Sequence, residues 1–579
     1  MNRRHSFVAF TALLGGLLFA GAGEAQELPR TWQEVNNYRA GPTPFEPLMD
    51  FWYDLAAVSP EVTIQPLAHT ILDRELTLVT IANEPIHTPQ DALRSGKAIV
   101  LLANSVHGGE VSPKEAAQLI AKELVGGELR SVLDDVIVLV IPIVNPDGGE
   151  ILRRTNEEGF DMNRDYVKME SQEITALITQ VMNEWTPDVH LDGHHGGSAP
   201  YTITWQGTLN PAADSALRAF PYERMFPRVR AALQAEDYDG FDYSGVRSLN
   251  GVEGWGSTSV EPRKHHVYSG LVNSIGILTE TPNNSRRVMR DGTLVEIAPE
   301  DRYFHQIMGQ VILMRTILQV AAEESDEIRA VTSAARMRAI QAGQEGGDPI
   351  ILDYELTSRG TEPVWMPDAS APLGYSVRNV PIYLRWQTTR TTTRPVGYVL
   401  PASMARVIPL LLDHDIAVFR FQEPTTVEME VYDATRVQQD EYFQGHYLKS
   451  AEVRKSTEQV EVGQGWFYIP TAQSRANLIS YILEPETDDN LITWGHTSHI
   501  LQVTPETTEE ALEALLQGTP MSALSEEQIA ELERRVQAQQ AQVQRVPMMR
   551  VMEHQTLPVV RVEPGNSYDR NRFYRPTPR

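Results

Sequence analysis

A histidine and a glutamate stand three residues apart in the segment His107-Gly-Gly-Glu110. The two glycines between them let the backbone curl, so both side chains can reach the same cation. The chain contains no cysteine, which leaves His, Asp and Glu as the ligands for a transition metal and excludes thiolate catalysis. The spacing alone is common by chance, so the hypothesis of a metal site depends on where the pair lies in the fold.

Further groups of polar residues follow other apolar runs of the sequence. They are residues 145–165, which contain an Asn-Pro-Asp-Gly turn, Arg153, Arg154, Asn163 and Arg164; residues 192–197, which contain His194 and His195; and Glu280. Each group has an ordinary structural explanation, such as a turn or a solvated charge. Their joint occurrence in this order is harder to explain in that way.

The elements that must position these residues are short and nearly continuous in apolar side chains. The runs at residues 98–103, 136–143, 189–191 and 275–278 are typical of strands covered on both faces, and a helix is predicted over 114–124 between them. This alternation predicts an α/β fold with a mixed, mainly parallel sheet flanked by helices. Because ligands collect at the carboxyl ends of such strands, the polar groups are expected to meet there.

With these motifs in this order, residues from about 40 to 320 resemble the zinc carboxypeptidases of the M14 family. The resemblance implies one zinc ion per chain, held by His107, Glu110 and His194. It also implies a peptidase that cleaves at or near the C-terminus of its substrate. The implied roles of the other residues are Glu280 as general base, Arg154 as the group that polarises the scissile carbonyl, Asn163 and Arg164 as the grip on the terminal carboxylate, and Tyr268 as a further substrate contact.

Several of these assignments have competitors. His190 and His195 compete with His194 for the third ligand position, but His194 is favoured because it sits at the end of its strand. Arg153 competes with Arg154. The segment between residues 220 and 266 is expected to form the wall that contacts the substrate side chain, and it does not align with the family.

The remainder of the chain suggests several units. Residues 1–25 are predicted to be a signal peptide cleaved after Ala25, with export as the consequence, and residues 26–335 to be the catalytic domain. Predictions for the later units are a linker at 336–375, a smaller α/β or β-rich accessory domain at 376–504, a helical segment at 505–546 and an ill-ordered tail at 547–579. The accessory domain resembles one that some large bacterial members carry.

The amino-acid composition limits the kinds of binding partner that are expected. The formal charge of -27 disfavours nucleic acid and anionic membranes, and the apolar part of the signal is too short for a stable membrane anchor. A peptide or protein substrate is expected, and the oligomeric state is left open. Two alternative functions stand beside the metallocarboxypeptidase: a zinc amidase or deacylase acting on acylated amino acids or cell-wall peptides, and a catalytically silent exported binding protein.

Overall fold

The computed structural model describes residues 27–84, 86–283, 285–504, 516, 524–540 and 543–563. The predicted signal peptide lies outside these residues. Within the described part of the chain, no helix combines the length and the apolar character that a membrane crossing needs.

The first part of the chain alternates between strands and helices. Its strands are β1 (Val62–His69), β2 (Glu75–Ile81), β3 (Ala98–Asn104), β4 (Val136–Ile141), β5 (Val189–His195), β6 (Ile203–Gly207), β7 (Gly240–Asp242), β8 (Gly245–Leu249), β9 (Val252–Gly256) and β10 (Ile275–Thr281). Its helices are α1 (Trp32–Val35), α2 (Phe45–Val58), α3 (Pro89–Ser95), α4 (Ser112–Gly126), α5 (Pro146–Glu150), α6 (Gln172–Ala176), α7 (Ser215–Phe220), α8 (Phe226–Ala235), α9 (His265–Leu271), α10 (Arg302–Glu323) and α11 (Ser325–Glu345).

The central sheet has the order β1-β2-β4-β3-β5-β10-β6-β7 among the described residues. Neighbours are parallel from β4 through β3 and β5 to β10, and β6 is parallel to β7. The pairs β1–β2, β2–β4 and β10–β6 are antiparallel. Strands β3, β4 and β10 are buried along their whole length, as their apolar runs require. The predicted mixed, mainly parallel α/β sheet is therefore confirmed.

The rest of the chain is rich in β-structure. Its strands are β11 (Arg286–Val288), β12 (Leu294–Glu296), β13 (Pro349–Thr357), β14 (Thr361–Pro367), β15 (Tyr375–Tyr383), β16 (Arg385–Thr393), β17 (Gly397–Leu400), β18 (Phe419–Phe421), β19 (Thr425–Phe443), β20 (His446–Val462), β21 (Phe467–Pro470), β22 (Gln544–Arg545), β23 (Met549–Val551) and β24 (Val559–Arg561). Its helices are α12 (Ile408–Asp413), α13 (Ala476–Leu483) and α14 (Glu526–Gln540). A second sheet with the order β20-β19-β23-β17-β21-β18-β24 dominates this region.

The predicted linker at residues 336–375 is wrong. Helix α11 continues to Glu345, strand β13 pairs with β16, and β14 with β15 joins the β8–β9 hairpin of the catalytic region in one sheet. Gly343 lies inside α11, where a Cβ atom would collide with the backbone of Thr471. That glycine permits a close approach between two elements and does not break the helix.

The prediction of an ill-ordered tail is also wrong for residues 547–563, which are described. Strand β23 pairs with β17 and β19, and β24 pairs with β18. Arg550 is buried there and forms ion pairs with Glu430 and Glu484, so its charge is neutralised inside the sheet. Of the predicted helical segment at 505–546, helix α14 is described and most of the remainder lies outside the described residues.

The two faces of the central sheet are covered differently. On one face, α2, α4, α8 and α10 pack through residues such as Trp52, Leu124 and Ile317. On the other face, one continuous core joins side chains of the catalytic region, such as Trp185, with side chains of the C-terminal region, such as Leu411. The accessory region is therefore part of the structure that covers the sheet.

Candidate active site

The segment between β3 and α4 carries His107 and Glu110. It is held against helix α5 so closely that a Cβ atom on Gly108 would overlap the backbone of Gly148. The Asn-Pro-Asp-Gly turn, which forms the start of α5, thus packs directly against the loop that carries His107 and Glu110. Glycine is required at position 108 because no other residue leaves room for this contact.

His194 and Glu280 come from the neighbouring parallel strands β5 and β10, where they occupy the same register position. Both strands end at this edge of the sheet, as β3 does. The structure therefore brings His107, Glu110, His194 and Glu280 together at the carboxyl ends of three adjacent strands.

His107, Glu110 and His194 form a cluster suited to a metal ion, since their ligand atoms all lie within 4.8 Å of one another. Nδ1 of His107 is 2.8 Å from Oε1 of Glu110, and Nδ1 of His194 is 2.7 Å from Oε2. The two Nδ1 atoms are 3.1 Å apart. Two imidazoles and one carboxylate that converge in this way leave a further coordination position open, which is the donor set of a catalytic zinc site.

The other nitrogen of each histidine is held by an aspartate. Nε2 of His107 lies 2.8 Å from Asp161, and Nε2 of His194 lies 2.8 Å from Asp192. These contacts fix the rings with Nδ1 towards the cluster, an arrangement common among metal ligands. Neither aspartate is assigned a role from the sequence alone, although Asp192 and His194 stand two residues apart.

The electrostatics of the cluster favour a cation. Burial acts to raise the pKa of Glu110, but His107 and His194 outweigh it and hold this pKa well below its ordinary value. Burial acts to lower the pKa of His194, yet the charges of Asp192 and Glu110 raise it. The negative potential that attracts a proton to His194 would equally attract a metal ion.

Of the two candidate arginines, Arg154 lies at the site. Its NH1 donates to Oε1 of Glu110 at 3.0 Å and its Nε donates to Asp161 at 3.0 Å, while half of the side chain is exposed. Arg153 instead bonds to the carbonyl of Asn156 and to Glu157, away from the cavity. The structure thus favours the choice of Arg154.

Asn163 and Arg164 both line the cavity, but they differ in how they are engaged. The amide of Asn163 is 2.9 Å from Nε2 of His194, and its oxygen accepts from the backbone of His265. Arg164 donates to the carbonyl of Asn163 and forms no ion pair with any described residue. Arg164 is therefore the better placed of the two to bind a substrate carboxylate.

The placement of Tyr268 in the substrate site is wrong. Its side chain is 0% exposed, lies beside the ring of Tyr166, and its hydroxyl contacts His414 at 2.8 Å. Helix α9 turns it towards the C-terminal region, a contact that the local sequence does not reveal.

Tyr243 lines the cavity instead, directly after β7. The negative charge of Glu280, together with burial, raises its pKa above the ordinary value. Tyr243 lies in the segment between residues 220 and 266, which does not align with the family. The sequence therefore offered only one sign of its position at the site, a tyrosine directly after a short strand.

The two competing histidines lie elsewhere. His190 is buried behind the cluster and contacts His265 at 3.2 Å. The backbone amide of His195 donates to Glu110 at 3.1 Å, but its ring belongs to none of the metal-binding groups found among the described residues. His194 therefore provides the geometry expected of the third ligand.

The cluster opens into a cavity of about 480 Å³. One side carries the metal cluster, Arg154, Arg164 and Glu280, and the opposite wall comes from the β8–β9 hairpin and the residues that follow it. This wall lies within the segment that was expected to contact the substrate side chain.

Comparisons with known proteins find similarity to carboxypeptidases. Residues 48–203 match the family model Peptidase_M14, described as zinc carboxypeptidase. The matched segment includes every predicted metal ligand and ends before Glu280. A zinc carboxypeptidase model of the M14 family therefore matches this part of the chain.

Among curated proteins, the chain is similar to carboxypeptidase 2 of Trichophyton tonsurans, with 21% identity over 423 residues that cover 69% of this chain and 74% of the relative. Carboxypeptidase 2 of Trichophyton rubrum is also 21% identical, over 427 residues.

Solved structures with a likeness include a metallo-carboxypeptidase from Burkholderia cenocepacia, with 16% identity, a TM-score of 0.38 and coverage of 49% of this chain and 70% of that chain. Another is a metallo-carboxypeptidase from Pseudomonas aeruginosa in complex with (2-guanidinoethylmercapto)succinic acid, with 20% identity, a TM-score of 0.37 and coverage of 50% and 70%.

Replacing Asp161 by asparagine is expected to weaken zinc binding by about 10- to 100-fold, because the ring of His107 would lose its charged acceptor. Competition with a chromophoric chelator measures the affinity. The same substitution at Asp214, which caps helix α7 and does not line the cavity, is the control. Equal zinc affinity in Asp161→Asn and the wild type would contradict the orienting role of Asp161.

Proposed function

We propose that this protein is a zinc-dependent metallocarboxypeptidase that hydrolyses peptide bonds at or near the C-terminus of its substrate. The observation that carries the proposal is the convergence of His107, Glu110 and His194 in a cavity that also contains Glu280 and Arg154. The family match and the names of the curated relatives support it.

The three ligands would hold zinc, and their donor set fits that metal. When bound, zinc supplies Lewis acidity, which lowers the pKa of a water molecule and polarises a carbonyl group. The protein must provide the remaining functions: a base, a countercharge for the oxyanion and a grip on the substrate.

Glu280 is proposed as the general base. It is 8% exposed, and its Oε2 has no hydrogen-bond partner among the described residues. Burial, and after it the charge of Glu110, raises the pKa of Glu280 to about 8. A carboxylate with a raised pKa at the edge of the cavity can accept a proton from the attacking water and pass it to the leaving amine.

Arg154 is proposed to stabilise the oxyanion, since its guanidinium lies beside Glu110 with half of its side chain exposed to the cavity and solvent. Arg164 is proposed to bind the terminal carboxylate as a forked pair, with Asn163 fixing the loop from which it projects.

Replacing Arg164 by alanine is therefore expected to reduce kcat/KM for peptides with a free C-terminus by about 10- to 100-fold, as loss of a charge-assisted bond to substrate implies. Zinc content should not change. Assays with matched peptides that have a free or an amidated C-terminus measure the preference. An unchanged ratio of the two rates would refute the grip by Arg164.

The experiment that tests the function is mass spectrometry of a mixed peptide pool incubated with the zinc-loaded protein, with Glu280→Gln as the blank. Ladders shortened from the C-terminus only in the wild type are expected. Internal cuts would contradict an exopeptidase. An untouched pool would shift the assignment to an amidase or deacylase, or to a silent binding protein.

Export after cleavage following Ala25 belongs to the same proposal. N-terminal sequencing of the protein recovered outside the cytoplasm tests it. A first residue other than Gln26 would contradict the cleavage position.

A further inference from the structure

The wall opposite the zinc ligands presents an arginine, Arg247 of strand β8. Its Nε donates to the carbonyl of Gly256 at 3.4 Å, and its NH2 donates to Oγ1 of Thr258 at 3.2 Å. NH1 has no hydrogen-bond partner among the residues that the structure describes. Because Gly245 and Arg247 alternate with exposed Val246 along the strand, both lie on the cavity side of the hairpin.

The hairpin that carries Arg247 is fixed by strand β15 of the C-terminal region. Gly256 pairs with Tyr383, and the backbone amide of Ser257 donates to the carbonyl of Tyr383 at 3.2 Å. A Cβ atom on Gly256 would lie 2.6 Å from Cβ of Tyr383. The guanidinium of Arg247 therefore projects from a sheet, which favours a specific contact over a mobile one.

The cations that line the cavity divide into two groups. Arg154 pairs with the carboxylates of the zinc cluster, and Lys264 pairs with Glu261 at 2.7 Å. Arg164 and Arg247 form no ion pair with any residue in the described ranges. Under the proposed function, Arg164 takes the terminal carboxylate of the substrate, which leaves the charge of Arg247 without a partner.

The lining of the whole cavity disfavours the other classes of substrate side chain. Among the described residues, the carboxylates that line the cavity are Glu110 and Glu280, and both already have proposed functions as ligand and base. A basic side chain would thus lack an acidic partner. Leu278 is the sole aliphatic side chain among the described residues that line the cavity, so a large apolar side chain would lack an apolar surface. The remaining wall offers hydroxyl groups from Ser244, Ser257, Thr258 and Ser259.

We propose that Arg247 forms a subsite for an acidic side chain, so that the preferred C-terminal residue is glutamate or aspartate. Such a residue brings two carboxylates, and the cavity offers one free guanidinium for each. The hydroxyl groups beside Arg247 can donate to the same carboxylate. This inference rests on the proposed carboxypeptidase function and specifies its substrate.

The test uses the zinc-loaded full chain and four blocked tripeptides that differ only in the last residue: Glu, Gln, Phe or Lys. Glutamine matches glutamate in shape. The ratio of the kcat/KM values for the tripeptides that end in Glu and in Gln therefore measures the effect of the negative charge alone. A ratio of about 10 or more in favour of glutamate is expected, since one charge-assisted contact separates the two substrates. Arg247→Gln should bring the ratio close to one, and Arg247→Lys should retain a preference for glutamate.

The matched control is Arg378→Gln on β15, which removes a guanidinium from the same sheet. Arg378 pairs with Glu253 and does not line the cavity, so the ratio should stay as in the wild type. Preference for Phe or Lys, or an unchanged ratio in Arg247→Gln, would overturn the acidic subsite while leaving the carboxypeptidase intact. If no tripeptide loses its last residue, the proposed function fails and the subsite falls with it.

Discussion

Glu280→Gln is expected to abolish turnover while the protein still binds zinc. Glutamine keeps the shape of the side chain but cannot accept the proton of the attacking water, so kcat should fall by about 10²- to 10⁴-fold. The metal ligands remain, because Glu280 is not a member of the cluster of His107, Glu110 and His194 and lies on β10, whereas His194 lies on β5. Steady-state kinetics and metal analysis of the same sample measure both effects.

The control is Glu253→Gln on strand β9, which makes the same chemical change outside the cavity and should alter kcat by less than about twofold. Wild-type turnover by Glu280→Gln would exclude Glu280 as the base. Loss of zinc in that variant would instead place Glu280 among the metal ligands.

His194→Ala is expected to lose both the metal and the activity. Its Nδ1 lies 2.7 Å from Glu110, and its Nε2 is held by Asp192, so removing the ring opens the cluster and leaves a buried carboxylate without its partner. Zinc content should fall well below one ion per chain, and kcat/KM by about 10³-fold or more.

The adjacent residue provides the comparison. In His195→Ala the ligand cluster is complete, so zinc content should equal that of the wild type. Metal analysis of the two variants side by side decides between neighbouring histidines that the sequence alone could not separate. If His195→Ala loses zinc and His194→Ala retains it, the third ligand has been assigned to the wrong residue.

The position of the site could be predicted because it follows from a rule about strands. His107, His194 and Glu280 each come at the end of an apolar run, and parallel strands place their carboxyl ends at one edge of the sheet. Local sequence was enough to find these residues. Their roles remain predictions that the experiments above address.

The orientation of side chains on loops and short helices could not be predicted in the same way. Tyr268 faces His414, which lies 146 residues further along the chain, and Tyr243 faces the cavity from an unaligned segment. Ser112 is the first residue of α4, and its hydroxyl contacts Thr281 at 2.6 Å instead of capping the helix. In each case, a partner distant in sequence decides where the side chain points.

The structure differs from the predicted domain boundaries for a related reason. Gly343 lets α11 pack closely on Thr471, and the strands that follow residue 547 pair with β17, β18 and β19. Local amino-acid composition indicates whether a segment prefers a helix, a strand or a turn. It does not indicate which surfaces of distant segments pack together into a shared core.

The core shared between the two regions also governs the order of events during synthesis. Part of one face of the central sheet is covered by residues that follow position 396, and the backbone amide of Asp161 donates to Gln444, which lies 283 residues further along the chain. That part of the face therefore stays exposed to water until the ribosome has made residues beyond position 396. The loop that carries Asp161 and Arg164 gains its bond to Gln444 only after that, so the candidate site is completed later than the strands that carry His194 and Glu280.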